Sequence, residues 1–253
     1  MNRFSLLSLL LLVTSVSVAQ KAFIYNTLQK NGFVSVSAGL SQPLGDFGKK
    51  TGETRSGMAL RGQSIHVSAG YRMAGPLGLM ARYEQTAHGI DPSAMLSQYS
   101  QLPGDYLSVS AAAGRAGQWQ TSSVMAGPYI TIPFGRMAID LRALAGQVWA
   151  TCPETSVRGK LNRTETIIRT DNREAKAIIG GLGVTARYRI TPILAIHVNS
   201  DYNSASFIFA DIPLESQLGS RTQQTTFTSK KSLETLNVSI GLTIQFRARN
   251  YVF

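Results

Sequence analysis

The side chains best equipped for chemistry are Arg72, Arg82, Glu84, Asp140, Arg142, Arg187, Arg189, His197 and Asp201. A nucleophilic triad is defined by spatial roles, so His66 or His197 with Asp201 and one of many serines has the required residue types. Local sequence selects no such set. His197 and Asp201 stand four apart, about 13 Å along an extended strand, too far for a base and its orienting carboxylate to touch. Three histidines without a nearby His/Asp/Glu ligand pattern do not make a metal centre. The single cysteine, Cys152, permits no intramolecular disulfide and no cysteine cluster. The residues therefore nominate no catalytic, metal or cofactor-binding site, and no cofactor is expected. The nine side chains read instead as a polar cluster in which carboxylates and guanidinium groups compensate one another. The arginines outnumber the acids, so some guanidinium groups are expected to reach water at the ends of whatever encloses them.

Enclosure follows from period-two patterning. Val34, Val36, Ala38 and Leu40 alternate with Ser35, Ser37, Gly39 and Ser41. Ile65, Val67, Ala69, Tyr71 and Met73 alternate with Ser64, His66, Ser68, Gly70 and Arg72, and Leu77, Leu79, Ala81 and Tyr83 with Gly78, Met80, Arg82 and Glu84. Further segments begin near Ser123, Ile139, Gly181, Leu194 and Leu236, making eight; Pro128 and an inward-phased Tyr129 leave the register of the fourth open. Each segment offers roughly 9–11 residues, enough for a tilted transmembrane strand. Charged side chains share their face with glycine and serine, while the opposite face is almost uninterrupted aliphatic. A soluble ligand-binding barrel puts the apolar face inside, whereas a membrane barrel turns it toward lipid. Tyr71, Tyr188 and Phe246 near one end of the apolar face, and Tyr83, Trp149 and Tyr202 near the other, fit two interfacial aromatic girdles.

The connections have a sidedness. Short ones at Met73–Leu77, Ile132–Arg136 and Ile190–Ile193 alternate with long polar ones near 42–62, 87–121, 150–175 and 204–233, the wiring of a barrel with tight turns at one membrane face. Met1–Arg3, the apolar run Phe4–Val13 and Ser17-Val18-Ala19 have the form of an export signal over 1–19, with cleavage after Ala19. The net charge of +11 is scattered over the long connections without a nucleic-acid signature, so no nucleic-acid partner is expected. Lys49, Lys50, Arg55, Arg158, Lys160, Arg163, Arg169, Arg173, Lys230 and Lys231 form either a basic rim facing lipid phosphates or a solvating surface.

With Ser239-Ile240-Gly241-Leu242-Thr243-Ile244-Gln245-Phe246 at the end of the last segment, the chain resembles the small outer-membrane β-barrel superfamily, the OmpA/OmpX-type and PorT-like proteins. The resemblance covers 20–253 as one domain, with the last strand at about 234–246 and a short tail at 247–253. It implies an all-β, eight-stranded antiparallel up-and-down transmembrane barrel with short periplasmic turns and long extracellular loops, in the cell outer membrane. Ser239, Gly241, Ile244 and Phe246 match the terminal-strand signal read by the barrel-assembly machinery. Implied partners are that machinery, outer-membrane lipid and lipopolysaccharide, and an unidentified surface or envelope protein. The resemblance does not imply a particular activity. The leading expectation is a non-catalytic structural or binding barrel working through its long loops; a small channel, an outer-leaflet lipid-modifying enzyme and a secreted soluble ligand-binding barrel remain open. Within the long connections, 87–121 has room for a strand or short helix, and Thr164–Ile168 and Gln223–Thr228 read as strand extensions.

Overall fold

A computed structural model describes residues 31–50, 56–99, 105–111, 117–161 and 164–246. The export signal over 1–19 and the tail at 247–253 lie outside the described residues. In chain order the elements are β1 (Gly32–Pro43), α1 (Gly45–Gly48), β2 (Ala59–Ala74), β3 (Leu77–Ile90), α2 (Pro92–Tyr99), β4 (Asp105–Ala111), β5 (Gln118–Phe134) and β6 (Met137–Cys152). They continue as β7 (Thr155–Leu161), β8 (Thr164–Thr170), β9 (Arg173–Arg189), β10 (Leu194–Leu218) and β11 (Arg221–Phe246). Neither helix among the described residues is long and apolar enough to cross a membrane, so any crossing falls to the strands.

Eight strands close into a ring in the order β1, β2, β3, β5, β6, β9, β10, β11 and back to β1, every neighbour antiparallel. Closure removes the exposed backbone edges that an open sheet would present to lipid. Partners followed from Ile244 through Val34, Ala69, Ala81, Ala126, Ala145, Gly180 and Ser204 return to Glu234 on the starting strand, a stagger of ten residues. With a rise of ~3.3 Å per residue and a strand spacing of ~4.8 Å, that stagger corresponds to a strand tilt of about 40°. The alternation dictates the two faces. Val36, Leu40, Ile65, Leu79, Leu182, Val198, Ile240 and Leu242 are exposed on the outside, while Ser37, Ser64, His66, Arg82, Glu84, Asn199 and Asp201 are buried inside.

The short connections are tight for identifiable reasons. Gly75 and Gly135 have φ of +58° and +62°, a region from which a Cβ is largely excluded. At the third, Thr191 Oγ1 accepts from the Ile193 and Leu194 amides at 3.2 and 2.9 Å. The register of β5 runs unbroken past Pro128, because Ala126 pairs with Ala145 and Tyr129 with Arg142 in one frame. Pro128 points outward and Tyr129 inward.

The opposite end differs from a set of loops. The last strand begins at Arg221, well before residue 234, because β10 and β11 continue beyond the ring as one long hairpin closing at Leu218 and Arg221. A bulge between Phe209 and Ile212, with Asp211 at φ +53°, marks where β10 exchanges partners from β9 to β8. β8 pairs with β7 and β7 with β4, so beyond the ring stands a five-stranded sheet in the order β11, β10, β8, β7, β4. The connection at 87–121 supplies both a helix and a strand, α2 and β4. Asp91 caps α2, its Oδ1 accepting from the Ser93 and Ala94 amides at 3.0 and 3.3 Å, with Pro92 in the first turn.

Candidate functional site

Inside the ring, charge is balanced where water is least available. Asp201 Oδ1 accepts from Arg142 Nε at 2.8 Å and Nη2 at 2.5 Å, and its Oδ2 lies 2.8 Å from Arg82 Nη1. The side chains of Arg82 and Arg142 are each 2 % exposed and that of Asp201 is 4 % exposed. Arg142 Nη1 also donates to Thr185 Oγ1, which donates to Asn199 Oδ1 at 2.6 Å. Glu84 Oε1 accepts from Asn203 at 2.9 Å and Asn237 at 2.8 Å, and Oε2 faces Arg82 at 3.8 Å. Closer to the short-turn end, Asp140 takes Arg187 Nη2 on both oxygens, at 2.8 and 2.6 Å, and Thr131 Oγ1 at 2.7 Å. Three buried arginines thus meet three buried acids. The two remaining guanidinium groups, Arg72 and Arg189, sit half-buried at the short-turn mouth, where Arg189 Nη2 donates to Gly135 O at 3.2 Å.

Small residues make room for this network. A Cβ on Gly183 would lie 2.0 Å from Asp201 Oδ1 and 2.7 Å from Arg142 Nε. Phe33 and Tyr129 meet edge-to-face with centroids 5.6 Å apart, and Arg187 Cζ lies 5.3 Å from the Phe33 ring centre. These groups separate the outer mouth from a small internal cavity of about 20 Å³ lined by Arg82, Arg142, Arg187 and Asn199 among others, space for about one water.

The histidines do not assemble a catalytic set. His197 Nε2 is hydrogen-bonded to Ser37 Oγ at 2.6 Å and its Nδ1 to Thr243 Oγ1 at 2.8 Å, so no carboxylate orients the ring. His66 Nε2 meets Asn199 Nδ2 at 3.1 Å, while Asp201 is taken by two arginines. His88 Nε2 is hydrogen-bonded to Ser41 Oγ at 2.8 Å. Ser37, Ser41, His66, His88 and His197 are all buried. Among the described residues, no group of three or more His, Cys, Asp or Glu is placed to hold a metal ion.

Sequence reasoning missed a second inward cluster at the long-connection end. Phe47, His88, Trp119, Phe207 and Phe209 are buried together, with Phe47–His88, Phe47–Trp119, Trp119–Phe209 and Phe207–Phe209 centroids 5.2, 5.7, 5.9 and 5.8 Å apart. Trp119 Nε1 donates to Gly57 O at 2.9 Å, tying the cluster to the chain just ahead of β2. The polar interior is therefore covered at this end by an aromatic plug. The available signal was the uninterrupted alternation of Phe207 and Phe209 with Ser206 and Ile208 past residue 203, which fixes inward phase beyond the membrane-length segment.

On the outside, Tyr83, Tyr188, Tyr202 and Phe246 are exposed and Tyr71 and Trp149 half-buried, all in the outward phase. Gln42, Gln63, Gln85 and Gln147 follow in that phase toward the long-connection end, and Gln85 Nε2 donates to Tyr83 Oη at 2.6 Å, marking a polar border above the aliphatic belt. Ser239 is buried inward and accepts from Asn199 Nδ2 at 3.2 Å; Ile244 and Phe246 face outward; Gly241 lets β1 approach, since its Cβ would meet Val36 O at 2.1 Å.

The basic rim is partly consumed by the fold. Lys49 pairs with Asp46 at 2.6 Å, Lys50 with Asp91 at 2.7 Å, and Lys231 Nζ donates to Ser56 O at 2.7 Å. Arg173 Nε donates to Asp211 O at 3.0 Å. Arg158, Arg169 and Lys230 are exposed, and Arg55 and Arg163 lie outside the described residues. The hydrogen bonds from Lys50 and Ser93 hold the Asp91 carboxyl well below the usual carboxylate range.

No family model matches the chain, and no curated protein matches it. Among solved structures, Neisserial surface protein A is similar over 85 % of this chain and 97 % of its own, at 16 % identity and a TM-score of 0.47. A major outer membrane protein from Thermus thermophilus is similar over 85 % and 99 %, at 14 % identity and 0.46. The attachment invasion locus protein Ail of Yersinia pestis, solved with the heparin analogue sucrose octasulfate, is similar over 84 % and 99 %, at 15 % identity and 0.41. The chain's own geometry carries the assignment: a ring of eight antiparallel strands closes without an edge, its outer belt is aliphatic, and its charges are compensated inside. The chain is an eight-stranded antiparallel β-barrel whose exposed aliphatic outer belt suits it to face lipid.

Proposed function

We propose that this barrel is a non-catalytic binding protein that holds a surface-exposed sheet for strand addition by an extended segment of a partner protein. The observation behind this reading is the outer edge of β11. Its partner β10 occupies one side, but β1 joins the other only from Thr235 onward. Thr222 to Ser229 form eight successive residues without charge, proline or glycine, and all but Ser229 are exposed. Natural edge strands are usually blunted by lysine, proline or bulges; among the described residues no strand pairs with this side of β11 before Thr235, so its backbone donors and acceptors suit pairing with an added strand. Arg221 and Lys230 flank it, so the complementary segment carries acids at its ends. In this reading the short turns face the periplasm and the sheet faces outward, the orientation general to such barrels. The exposed Arg158, Arg169 and Lys230 contact phosphate groups of the outer leaflet, lipopolysaccharide included, and the Ser239–Phe246 strand engages the assembly machinery before pairing with β1.

The test compares cells producing the natural chain, Thr225→Pro, and a deletion of 213–226, for retention on protein-coated surfaces. All three should show heat-dependent gel mobility, because the ring does not use these residues. Retention should fall for both variants; equal retention for all three sinks the strand-addition reading.

A further inference from the structure

We propose that the short-turn mouth is a binding site for a compact oxyanion, bearing phosphate or several carboxylates, that reaches the barrel from its periplasmic side. The mouth encloses a cavity of about 440 Å³, within the range of small-molecule sites. Four arginines line it, Arg72, Arg136, Arg187 and Arg189, with Tyr129 and Gln245 adding polar groups, and no aspartate or glutamate is among its lining residues. The nearest compensating acid, Asp140, is already occupied by Arg187 Nη2 and Thr131 Oγ1. Deeper acids cannot compensate the mouth, because Glu84 and Asp201 are committed to Arg82, Arg142 and the asparagines.

A second observation points to a ligand. The Arg187 side chain is only 7 % exposed, yet its Nε has no hydrogen-bond partner. A buried guanidinium donor left unmade is costly; Arg187 lines both the mouth and the small internal cavity, and an acceptor oxygen reaching it from the mouth would satisfy it. Guanidinium groups match the forked geometry of phosphate and carboxylate. Phe33 and Tyr129 stand at its inner side, between the mouth and the small internal cavity. Converging positive charge beside low-dielectric walls raises the local concentration of anions.

The test uses the whole barrel, refolded in a zwitterionic detergent, titrated with pyrophosphate and with citrate by calorimetry and by ¹⁵N spectra of the arginine Nε–H groups. Saturable binding that moves the Arg187 Nε resonance is expected, weakened about tenfold or more in Arg136→Gln/Arg189→Gln. An Arg158→Gln/Arg169→Gln control at the far end should bind as the natural chain does. Absence of saturable binding by either anion, or equal binding in the mouth variant, overturns the proposal. Heat-dependent mobility confirms that each variant is folded before titration, and Arg136→Gln alone serves should the double variant not fold. Repeating the titration in nanodiscs with and without phosphatidylglycerol separates the two sources of the anion. Competition by that lipid assigns the pocket to a head group, and its absence to a soluble anion; either supports the site.

Discussion

Replacing Asp201 by Asn keeps the side-chain volume but removes the carboxylate on which two buried arginines converge. Three short contacts are affected, Arg142 Nε and Nη2 at 2.8 and 2.5 Å and Arg82 Nη1 at 2.8 Å. The interior then holds three arginines against two acids, and the new amide NH₂ faces donors. Removing one partner of a buried ion pair costs about 3–5 kcal/mol. Two features place the expected loss toward the lower end of that range: Glu84 stands 3.8 Å from Arg82, and the adjoining internal cavity admits about one water. The assay is urea unfolding of the barrel refolded in lipid vesicles, followed by gel mobility and by fluorescence of Trp119 and Trp149. The companion variant Asp201→Asn/Arg142→Met restores equal numbers of buried charges and should be more stable than Asp201→Asn alone, because replacing a buried pair by apolar groups is often neutral. Asp201→Asn within about 1 kcal/mol of the natural chain, the worth of an ordinary neutral hydrogen bond, or strict additivity in the double variant, would refute the view that this carboxylate holds the interior together.

Three further outcomes follow from the same geometry. Gly183→Ala places a methyl 2.0 Å from Asp201 Oδ1 and should lower stability by about 1–3 kcal/mol through overpacking; an unchanged urea midpoint would mean that the pair has slack. Trp119→Ala empties the centre of the aromatic plug and should cost about 3–5 kcal/mol, read as a lowered unfolding midpoint; a loss under about 1 kcal/mol would show that the plug is not a packed unit. Asp91's carboxyl is held below its ordinary value by Lys50 and Ser93, so its stabilisation of α2 is present above the unfolded value of about 3.9 and is lost as pH falls through the lower folded value. Amide exchange at Ser93 and Ala94 should therefore accelerate relative to the β6 amides only in strong acid, and Asp91→Asn should abolish that dependence; identical pH profiles for the two chains would contradict it.

The sequence by itself determined which face each residue takes. A strand reverses side chains every residue, so Ile65, Val67 and Ala69 cannot share a face with Ser64, His66 and Ser68 whatever the fold. That local rule also phased Tyr129 inward, while Pro128 left the register of its strand open until the pairing with β6 fixed it. What tertiary structure decided is which strands meet and at what stagger, because period two is the same for every register that differs by two residues. Ring closure with a stagger of ten brings Arg82 on β3, Arg142 on β6 and Asp201 on β10 to one point, a convergence that no spacing along the chain encodes. It also leaves Arg72 and Arg189 at the mouth instead of within that cluster. The sheet beyond the ring was legible only in fragments, Thr164–Ile168 and Gln223–Thr228, since its polar threonines and glutamines alternate without an apolar face to betray a strand. There the deciding contact is the bulge at Asp211, which exchanges β9 for β8 as the neighbour of β10 and turns a long polar connection into an ordered edge.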